Sequence, residues 1–268
     1  MWFASMAANR SSSVDARLAR ESAYWDSAYR PDGAEHDKYL WIKNVERRSH
    51  VGGRFLNLAM QCYGKRILSL GGGIDSLAVA LAKADNRIVS VDISPVAVAA
   101  TAALARHEGV ADKVTALVSA SERIELPDES FDIVLSKRAL HHMDVGRTVA
   151  RARDLLVDGG LFVAEEPICL SAVLQWVHRT FPFHTSAPRT PDERELTSAD
   201  LALIAHTFRD VRTRVFDCLT RESVAYALVN LRMEWLLSPL GRLDDLLLNT
   251  ALPMLRGAAT YAIIEARK

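Results

Sequence analysis

The segment from Arg66 to Ala78 constrains the fold of this chain more than any other part of the sequence. It reads RILSLGGGIDSLA, a short apolar run followed by three glycines and the start of a helical pattern. Glycines at the end of a buried strand let a ligand approach the backbone, and the following helix offers unpaired N–H groups at its N-terminus. The segment therefore predicts a strand, a ligand-binding turn and a helix, the first unit of an open α/β sheet.

An acidic residue extends this pattern. Asp92 lies 19 residues after Gly73, at the end of the second predicted strand. A carboxylate at that position can accept hydrogen bonds from both hydroxyls of a ribose. NAD and S-adenosylmethionine (SAM) both carry an adenosine ribose, so the pattern alone fits either. A dinucleotide fingerprint would place a further glycine where Ser76 stands, which disfavours NAD.

From Lys65 onward, short β-branched runs alternate with helical patterns of about a dozen residues, which is typical of a parallel sheet built from βαβ units. Ser94 followed by Pro95 predicts a helix N-terminus. Thr190 and Thr197, each with an acid three residues later, predict two more helix entries. The seven predicted strands are residues 66–70, 87–93, 113–119, 131–136, 161–165, 211–217 and 260–266.

With 268 residues, 49% of them hydrophobic, the chain is predicted to form one α/β domain, residues 65–268, behind a helical N-terminal cap, residues 1–64. Tyr24, Trp25 and Tyr39 of the cap are expected either to close over the ligand or to pack in the core. Two insertions, about 167–196 and 219–257, exceed what seven strands require. Apolar residues at helical spacing in the second insertion fit core packing, a substrate lid, a dimer face or a membrane-surface helix. We predict that the two insertions form a lid.

Composition disfavours several other functions. Thirty-three basic residues balance thirty-three acidic ones, so no net field attracts a nucleic acid, and we expect no nucleic-acid partner. Cys62, Cys169 and Cys218 lie far apart without CxxC spacing, which indicates neither a disulfide framework nor a metal site. The sequence contains neither a signal peptide pattern nor a membrane-spanning apolar run, so we expect a cytoplasmic protein, with a homodimer left open.

Two later segments carry a family resemblance. Residues 126–136 read LPDESFDIVLS and are followed by LHH at 140–142, and residues 155–163 read LLVDGGLFV. The first resembles the fourth-strand region of class I SAM-dependent methyltransferases, and the second resembles the entry to the fifth strand of that family. Together with the glycine turn, the resemblance covers about Lys65 to Pro167. The resemblance implies a doubly wound, Rossmann-like sheet with six parallel strands and a seventh antiparallel, and it implies SAM as the cofactor.

The resemblance also implies which residues bind SAM. In that family the glycine turn holds the methionine part, the acid after the second strand binds the ribose, and residues after the third strand flank the adenine. Asp75 replaces the usual third glycine, Ala120 stands where an aspartate often contacts adenine, and Ser69 stands where an acid is common. The implied cofactor-binding residues are Ser69, Gly71, Gly72, Gly73, Asp92, Ile93, Ser121, Glu122 and Lys137.

Methyl transfer from a sulfonium depends mainly on alignment, and it needs a base only where the acceptor must lose a proton. His141 and His142 follow the fourth strand and Glu166 ends the fifth, so all three are predicted at the carboxyl edge of the sheet, as candidate bases. We therefore predict transfer of the SAM methyl group to oxygen, or to nitrogen or carbon, of a small, largely apolar metabolite, an activity typical of secondary metabolism. A SAM-binding protein without transfer activity and an NAD-dependent oxidoreductase remain the alternatives.

Overall fold

The computed structural model describes residues 2–33, 36–37, 40, 50–171, 190, 192–218, 224, 228 and 230–268, with side chains described from Val14 onward except at positions 50 and 253. The helices are α1 (Trp2–Tyr29), α2 (His50–Ala59), α3 (Ser76–Lys83), α4 (Pro95–His107), α5 (Val145–Leu155), α6 (Ser198–Thr207) and α7 (Leu237–Leu246). The strands are β1 (Arg66–Leu70), β2 (Arg87–Asp92), β3 (Val114–Val118), β4 (Phe131–Lys137), β5 (Leu156–Pro167), β6 (Arg209–Phe216) and β7 (Tyr261–Arg267).

The seven strands form one sheet in the order β3-β2-β1-β4-β5-β7-β6. All neighbouring pairs are parallel except those of β7, which runs antiparallel to β5 and to β6. The chain order reverses between β1 and β4, and open α/β sheets bind their ligands beyond the carboxyl ends of strands at such a point. The predicted doubly wound seven-stranded sheet is therefore confirmed.

The sheet is buried on both faces. Leu68 and Val134 belong to an apolar cluster on one face, and Ile67 and Ile133 to a second cluster on the other face. Burial on both sides explains why β1 and β4 are continuous apolar runs in the sequence rather than alternating patterns. Each fully buried leucine or isoleucine contributes roughly 1.5–3 kcal/mol through removal of its side chain from water, so the strands that position the cavity are held firmly.

Two of the three predicted helix starts are formed in the structure. Ser94 Oγ accepts a hydrogen bond from the Ala97 N–H at 3.1 Å, and Thr197 forms a capping box with Asp200, so both of those helix starts are confirmed. The helix predicted at Thr190 is wrong, because residues 193–195 are not helical. A Glu193 carboxylate oxygen accepts from the Thr190 N–H at 3.3 Å, as in a cap. The chain after it is drawn to the sheet instead, where the Leu196 N–H donates to the Pro167 carbonyl at 2.9 Å.

The described part of the second insertion packs against the edge of the sheet. Helix α7 contacts α2 and β6, where Asp245 accepts hydrogen bonds from both Arg54 and Arg214 at 2.9 Å. The Asn249 side chain bonds the backbone of Val215 through both its oxygen (3.0 Å) and its nitrogen (2.7 Å). Residues 172–189 and most of 219–229 lie outside the described residues, so the lid role of the insertions stays a prediction. Within the described residues, no helix combines the length and apolar character of a membrane span.

Candidate active site

A cavity of about 570 Å³ lies at the carboxyl ends of β1, β2 and β4, partly covered by α1. This volume falls within the roughly 300–1,000 Å³ of small-molecule sites. Most of the predicted site residues line it: Ser69, Gly71, Gly72, Asp92, Ile93, Ser121, Glu122, Lys137 and His142. Gly73, His141 and Glu166 are not among the described lining residues.

The glycine turn cannot carry side chains at its two ends. Gly71 and Gly73 have φ angles of +62° and +60°, in the left-handed region that favours glycine. A Cβ on Gly71 would lie 2.4 Å from the Ala139 Cβ, and one on Gly73 would lie 2.5 Å from the Tyr29 hydroxyl oxygen. The backbone of the turn is thus exposed to the cavity at Gly71 and covered by α1 at Gly73.

Asp75, which departs from the family pattern, has a structural role. Its Oδ1 accepts from the Ala78 N–H at 2.8 Å and caps α3, and its Oδ2 accepts from the Ser90 hydroxyl at 2.7 Å. Its own N–H donates to Thr101 Oγ1 at 2.9 Å. A buried carboxylate in place of the third glycine therefore fixes the turn to both flanking elements.

Asp92 occupies the end of β2 as predicted and is almost fully buried. Its Oδ2 accepts from the Gly73 N–H at 2.8 Å, and its Oδ1 accepts from the Ser94 N–H at 2.9 Å. Burial raises the pKa of Asp92 to about 6, and the nearby Asp75 charge adds to the rise, against the lowering by the two backbone hydrogen bonds. The carboxylate is thus ionised only above a pH near 6.

Helix α1 closes one side of the cavity. Its Ser22 hydroxyl donates to the Ile93 carbonyl at 3.1 Å, and Asp26 Oδ1 accepts from the Ser94 hydroxyl at 2.5 Å. These bonds fix α1 to the end of β2. Tyr24 and Trp25 of this helix line the cavity, which agrees with the expectation that they close over the ligand. Tyr39, the third aromatic of that prediction, lies outside the described residues.

Arg17 ties α1 to the other side of the cavity. Its guanidinium donates to the His142 carbonyl at 2.9 Å and pairs with Glu122, whose side chain is 1% exposed. The other Glu122 oxygen accepts from the Asp144 N–H at 2.9 Å. Glu122, predicted beside the adenine, thus lines the cavity with both carboxylate oxygens already bonded.

Glu166 lies behind the cavity wall. Its Oε1 accepts from the Ser136 hydroxyl and from the Ala139 and Leu140 N–H groups at 2.9–3.1 Å, and its Oε2 lies 2.8 Å from His141 Nδ1. The residue is fully buried. This placement makes Glu166 an anchor for the turn after β4, and it is not among the described residues that line the cavity.

The two histidines differ in their access to the cavity. The His141 imidazole is 7% exposed and lies between Glu166 and Glu193, with Nε2 at 3.7 Å from Glu193 Oε1. The His142 imidazole lines the cavity and meets the Trp25 ring edge-on at 5.2 Å between centroids. Of the three predicted bases, His142 is the one that contacts the cavity among the described residues.

Glu21 of α1 is a cavity residue that sequence reasoning missed. Its Oε2 lies 3.5 Å from His142 Nδ1 and accepts from the Trp25 indole N–H at 3.2 Å. Burial by itself would raise the pKa of Glu21, but hydrogen bonds from His142, Thr190 and Trp25 hold it below its usual value. No local motif marks Glu21, because His142 and Thr190, the partners that tie it to the cavity, lie more than a hundred residues further along the chain.

Part of the chain is similar in sequence to known methyltransferases. Residues 68–164 match the family model described as a methyltransferase domain. The uncharacterized methyltransferase YcgJ of Bacillus subtilis (strain 168) is 29% identical over 99 residues, which are 37% of this chain and 39% of that protein. The match thus spans well under half the length of that relative.

Solved structures share the fold. The YcgJ structure aligns with 81% of this chain and 98% of its own at a TM-score of 0.55 and 18% identity. The [4+2]-cyclase SpnF aligns with a TM-score of 0.54 at 19% identity, over 81% of this chain and 80% of its own. A geranyl diphosphate C-methyltransferase from Streptomyces coelicolor A3(2) aligns with a TM-score of 0.55 at 13% identity, over 80% of this chain and 75% of its own.

The sheet order, the glycine turn and the acid after β2 define the class I methyltransferase fold, which the structural neighbours share. The family match lies on the segment that carries these features. Over residues 68–164 the chain matches a methyltransferase domain, and the resemblance of its motifs to class I SAM-dependent methyltransferases is confirmed.

Proposed function

We infer that this protein binds SAM in the cavity and transfers its methyl group to a small, largely apolar molecule, with a hydroxyl oxygen as the first candidate and nitrogen or carbon next. The observation that carries the proposal is that one cavity joins the glycine turn and Asp92 to His142 and the aromatic wall of α1. A cofactor half and an acceptor half of one cavity are what transfer between two bound molecules requires.

The residues of the first half fit SAM. The backbone of the glycine turn borders the cavity at Gly71 and Gly72, and this surface without side chains would accept the methionine part of SAM. The ionised Asp92 carboxylate is an acceptor for ribose hydroxyls, and Ser121 and Glu122 stand where the adenine is expected. When bound, SAM supplies an electrophilic methyl group on a sulfonium.

The second half supplies alignment and a proton acceptor. Leu18, Trp25, Leu40 and Met143 give this wall an apolar surface, which suits a largely apolar acceptor. His142 is the candidate base. Because its Nδ1 faces Glu21 and Thr190, a proton placed there leaves Nε2 as an acceptor. In the proposed reaction, Nε2 would accept the proton of the acceptor hydroxyl, and that oxygen would take the methyl group from the sulfonium sulfur, which leaves as S-adenosylhomocysteine.

The test combines binding and turnover. SAM and S-adenosylhomocysteine should each stabilise the protein, by about 2.7 kcal/mol at ~100 times the dissociation constant. Asp92→Ala should weaken binding more than tenfold, and Asp85→Ala, which removes an exposed carboxylate, is the matched control. Incubation with labelled SAM and a panel of phenols, alcohols, amines and carbon acids should yield S-adenosylhomocysteine with at least one acceptor. Binding without any S-adenosylhomocysteine would reject methyl transfer.

One structural neighbour supports an alternative function, SAM binding without methyl transfer. SpnF shares the fold and is named a [4+2]-cyclase, so the fold by itself does not require methyl transfer. A SAM-binding protein that does not transfer the methyl group is therefore the alternative. A nicotinamide cofactor that stabilises the protein where SAM does not would instead favour an oxidoreductase.

A further inference from the structure

Two histidines and a glutamate form a cluster beside the cavity, apart from the residues assigned to SAM. One ligand atom from each of His141, His142 and Glu193 lies within 4.8 Å of the other two. We propose that these three residues bind a divalent first-row transition-metal ion, for which Zn²⁺ is the reference ion. The site would lie at the acceptor half of the cavity, because His142 lines it.

The separation of two ligand atoms in the cluster is close to that which a metal requires. Tetrahedral Zn²⁺ ligands at about 2.0–2.1 Å lie roughly 3.3 Å from one another. His141 Nε2 and Glu193 Oε1 are 3.7 Å apart, too far for a hydrogen bond and only a few tenths of an ångström from that separation. Two imidazoles and one carboxylate form a ligand set that favours zinc or iron(II) and disfavours Mg²⁺, which prefers oxygen ligands.

Buried carboxylates stand behind both imidazoles. Histidines that bind metals generally donate their second ring N–H to a carboxylate or carbonyl, which fixes the tautomer and orients the ring. Glu166 Oε2 lies 2.8 Å from His141 Nδ1, and Glu21 Oε2 lies 3.5 Å from His142 Nδ1. This arrangement turns His141 Nε2 toward Glu193 and leaves Nε2 of His142 as its metal ligand.

An unsatisfied buried oxygen is the second observation that points to a cation. Glu21 is 3% exposed, and its Oε1 has no hydrogen-bond partner among the residues that the structure describes. Such an acceptor is costly to bury, and a nearby cation would offset that cost. Four arginines among the described residues of the neighbouring segments pair with other carboxylates: Arg17 with Glu122, Arg20 with Asp192, Arg138 with Glu165 and Arg194 with Asp200.

The consequence for catalysis rests on the proposed methyl transfer. A metal ion bound here would lower the pKa of an acceptor hydroxyl that coordinates it. It would then take over from His142 the task of producing the nucleophilic oxygen, because a coordinated Nε2 cannot accept a proton. Turnover of a hydroxyl acceptor should accordingly fall when the protein is stripped with a chelator, and it should recover when Zn²⁺ is added.

The test of the site itself needs neither SAM nor an acceptor. The full chain, freed of any affinity tag and treated with a chelator, is titrated with Zn²⁺ and separately with Mg²⁺, and bound metal is measured by calorimetry and elemental analysis. We expect one equivalent of Zn²⁺ and no specific Mg²⁺. Glu193→Gln and His141→Gln should each weaken Zn²⁺ binding at least tenfold, whereas His206→Gln, which changes an exposed histidine on α6, should leave it unchanged.

Visible absorption of bound Co²⁺ gives a second readout, because its intensity reports a four- or five-coordinate ion. Glu166→Gln should weaken metal binding by about 10- to 100-fold, provided that circular dichroism shows an intact fold. No stoichiometric binding to the wild-type chain, or equal binding by wild type, Glu193→Gln and His141→Gln, would overturn the proposal. Metal binding without any methyl transfer would leave the site standing and reject only the proposed function.

Discussion

The two halves of the cavity are built in different ways. Most of the cofactor half comes from residues 66–93, where a strand, a turn, a helix and a second strand follow one another along the chain, and Ser121 and Glu122 complete it. The acceptor half joins α1 to the turn at 140–142, with Thr190 and Glu193 behind the two histidines, and its contacts link residues far apart, such as Arg17 with the His142 carbonyl, 125 positions away.

This difference separates affinity from turnover. A half built mostly from one contiguous motif depends less on the docking of distant elements. A half assembled from three distant segments depends on packing between them. Substitutions in the first half should therefore change SAM affinity, and substitutions in the second should change turnover.

The largest expected effect is on the acceptor half. With a hydroxyl acceptor, His142→Gln should lower turnover by about 10²–10⁴-fold, the usual contribution of a group that removes a proton. SAM affinity should change less than about threefold, because the glycine turn and Asp92 are untouched. His206→Gln serves as the control. If His142→Gln lost SAM binding together with turnover, the two halves would not control affinity and turnover separately.

The cofactor half should respond most to Gly71→Ala. The change adds left-handed strain of about 1–2 kcal/mol and an overlap with Ala139 worth about 1–3 kcal/mol. Gly109→Ala is a matched control, because its φ is +71° but its new Cβ would meet nothing within 4 Å. Urea unfolding and S-adenosylhomocysteine titration of both variants isolate the overlap. If Gly71→Ala and Gly109→Ala lost the same unfolding free energy and the same affinity for S-adenosylhomocysteine, the turn would tolerate a side chain at Gly71.

Docking of α1 should depend on Arg17 and only slightly on Arg20. Arg17→Ala removes charge-assisted hydrogen bonds to Glu122 and to the His142 carbonyl. A hydrogen bond of this type contributes about 1.5–3 kcal/mol to stability. Arg20→Ala removes a surface pair with Asp192, worth about 0–1 kcal/mol. We expect Arg17→Ala to lower turnover more than it weakens SAM binding. The reverse order of the two variants in unfolding free energy would contradict this account of the helix.

The smallest expected effect is the pH dependence of SAM binding. Because ribose hydroxyls donate to the charged form, affinity should fall as the pH drops through about 6, approaching tenfold per pH unit below it. The folding stability of the ligand-free protein should change with pH in the opposite direction. Because the pKa of Asp92 is higher in the folded state, protonation stabilises the fold at low pH, and this contribution is lost as the pH rises through about 6. Titrations from pH 5 to 7 with wild type and Asp92→Asn test this, and equal slopes would remove Asp92 from the ribose site.

The sequence determined the architecture and the cofactor half. Short β-branched runs predicted the seven strands. The signal is clearest in β1 and β4, because strands buried on both faces leave apolar segments in the chain, whereas β6 at the sheet edge has exposed residues in its first half. The glycines and Asp92 were also readable, since φ angles and close approaches within one βαβ unit depend on residues near one another in sequence.

The roles of the candidate bases were decided by tertiary structure. His141, His142 and Glu166 are equivalent in sequence, for all three lie at the carboxyl ends of neighbouring strands. Side-chain direction separates them: Glu166 turns inward to hold the turn after β4, and His142 turns toward the cavity. The helix predicted at Thr190 failed for a related reason, because bonds to β5 outweighed a local cap.

The covering of the cavity by α1 was likewise beyond local patterns. Glu21 reads as an ordinary polar residue of a helix, and Glu193 as a helix cap, yet they come to lie on either side of the two histidines. Hydrophobic periodicity and turn chemistry encode what a segment becomes. Which polar groups meet across more than a hundred residues is settled by how the helices dock on the sheet, because only that packing fixes their distances and removes them from water.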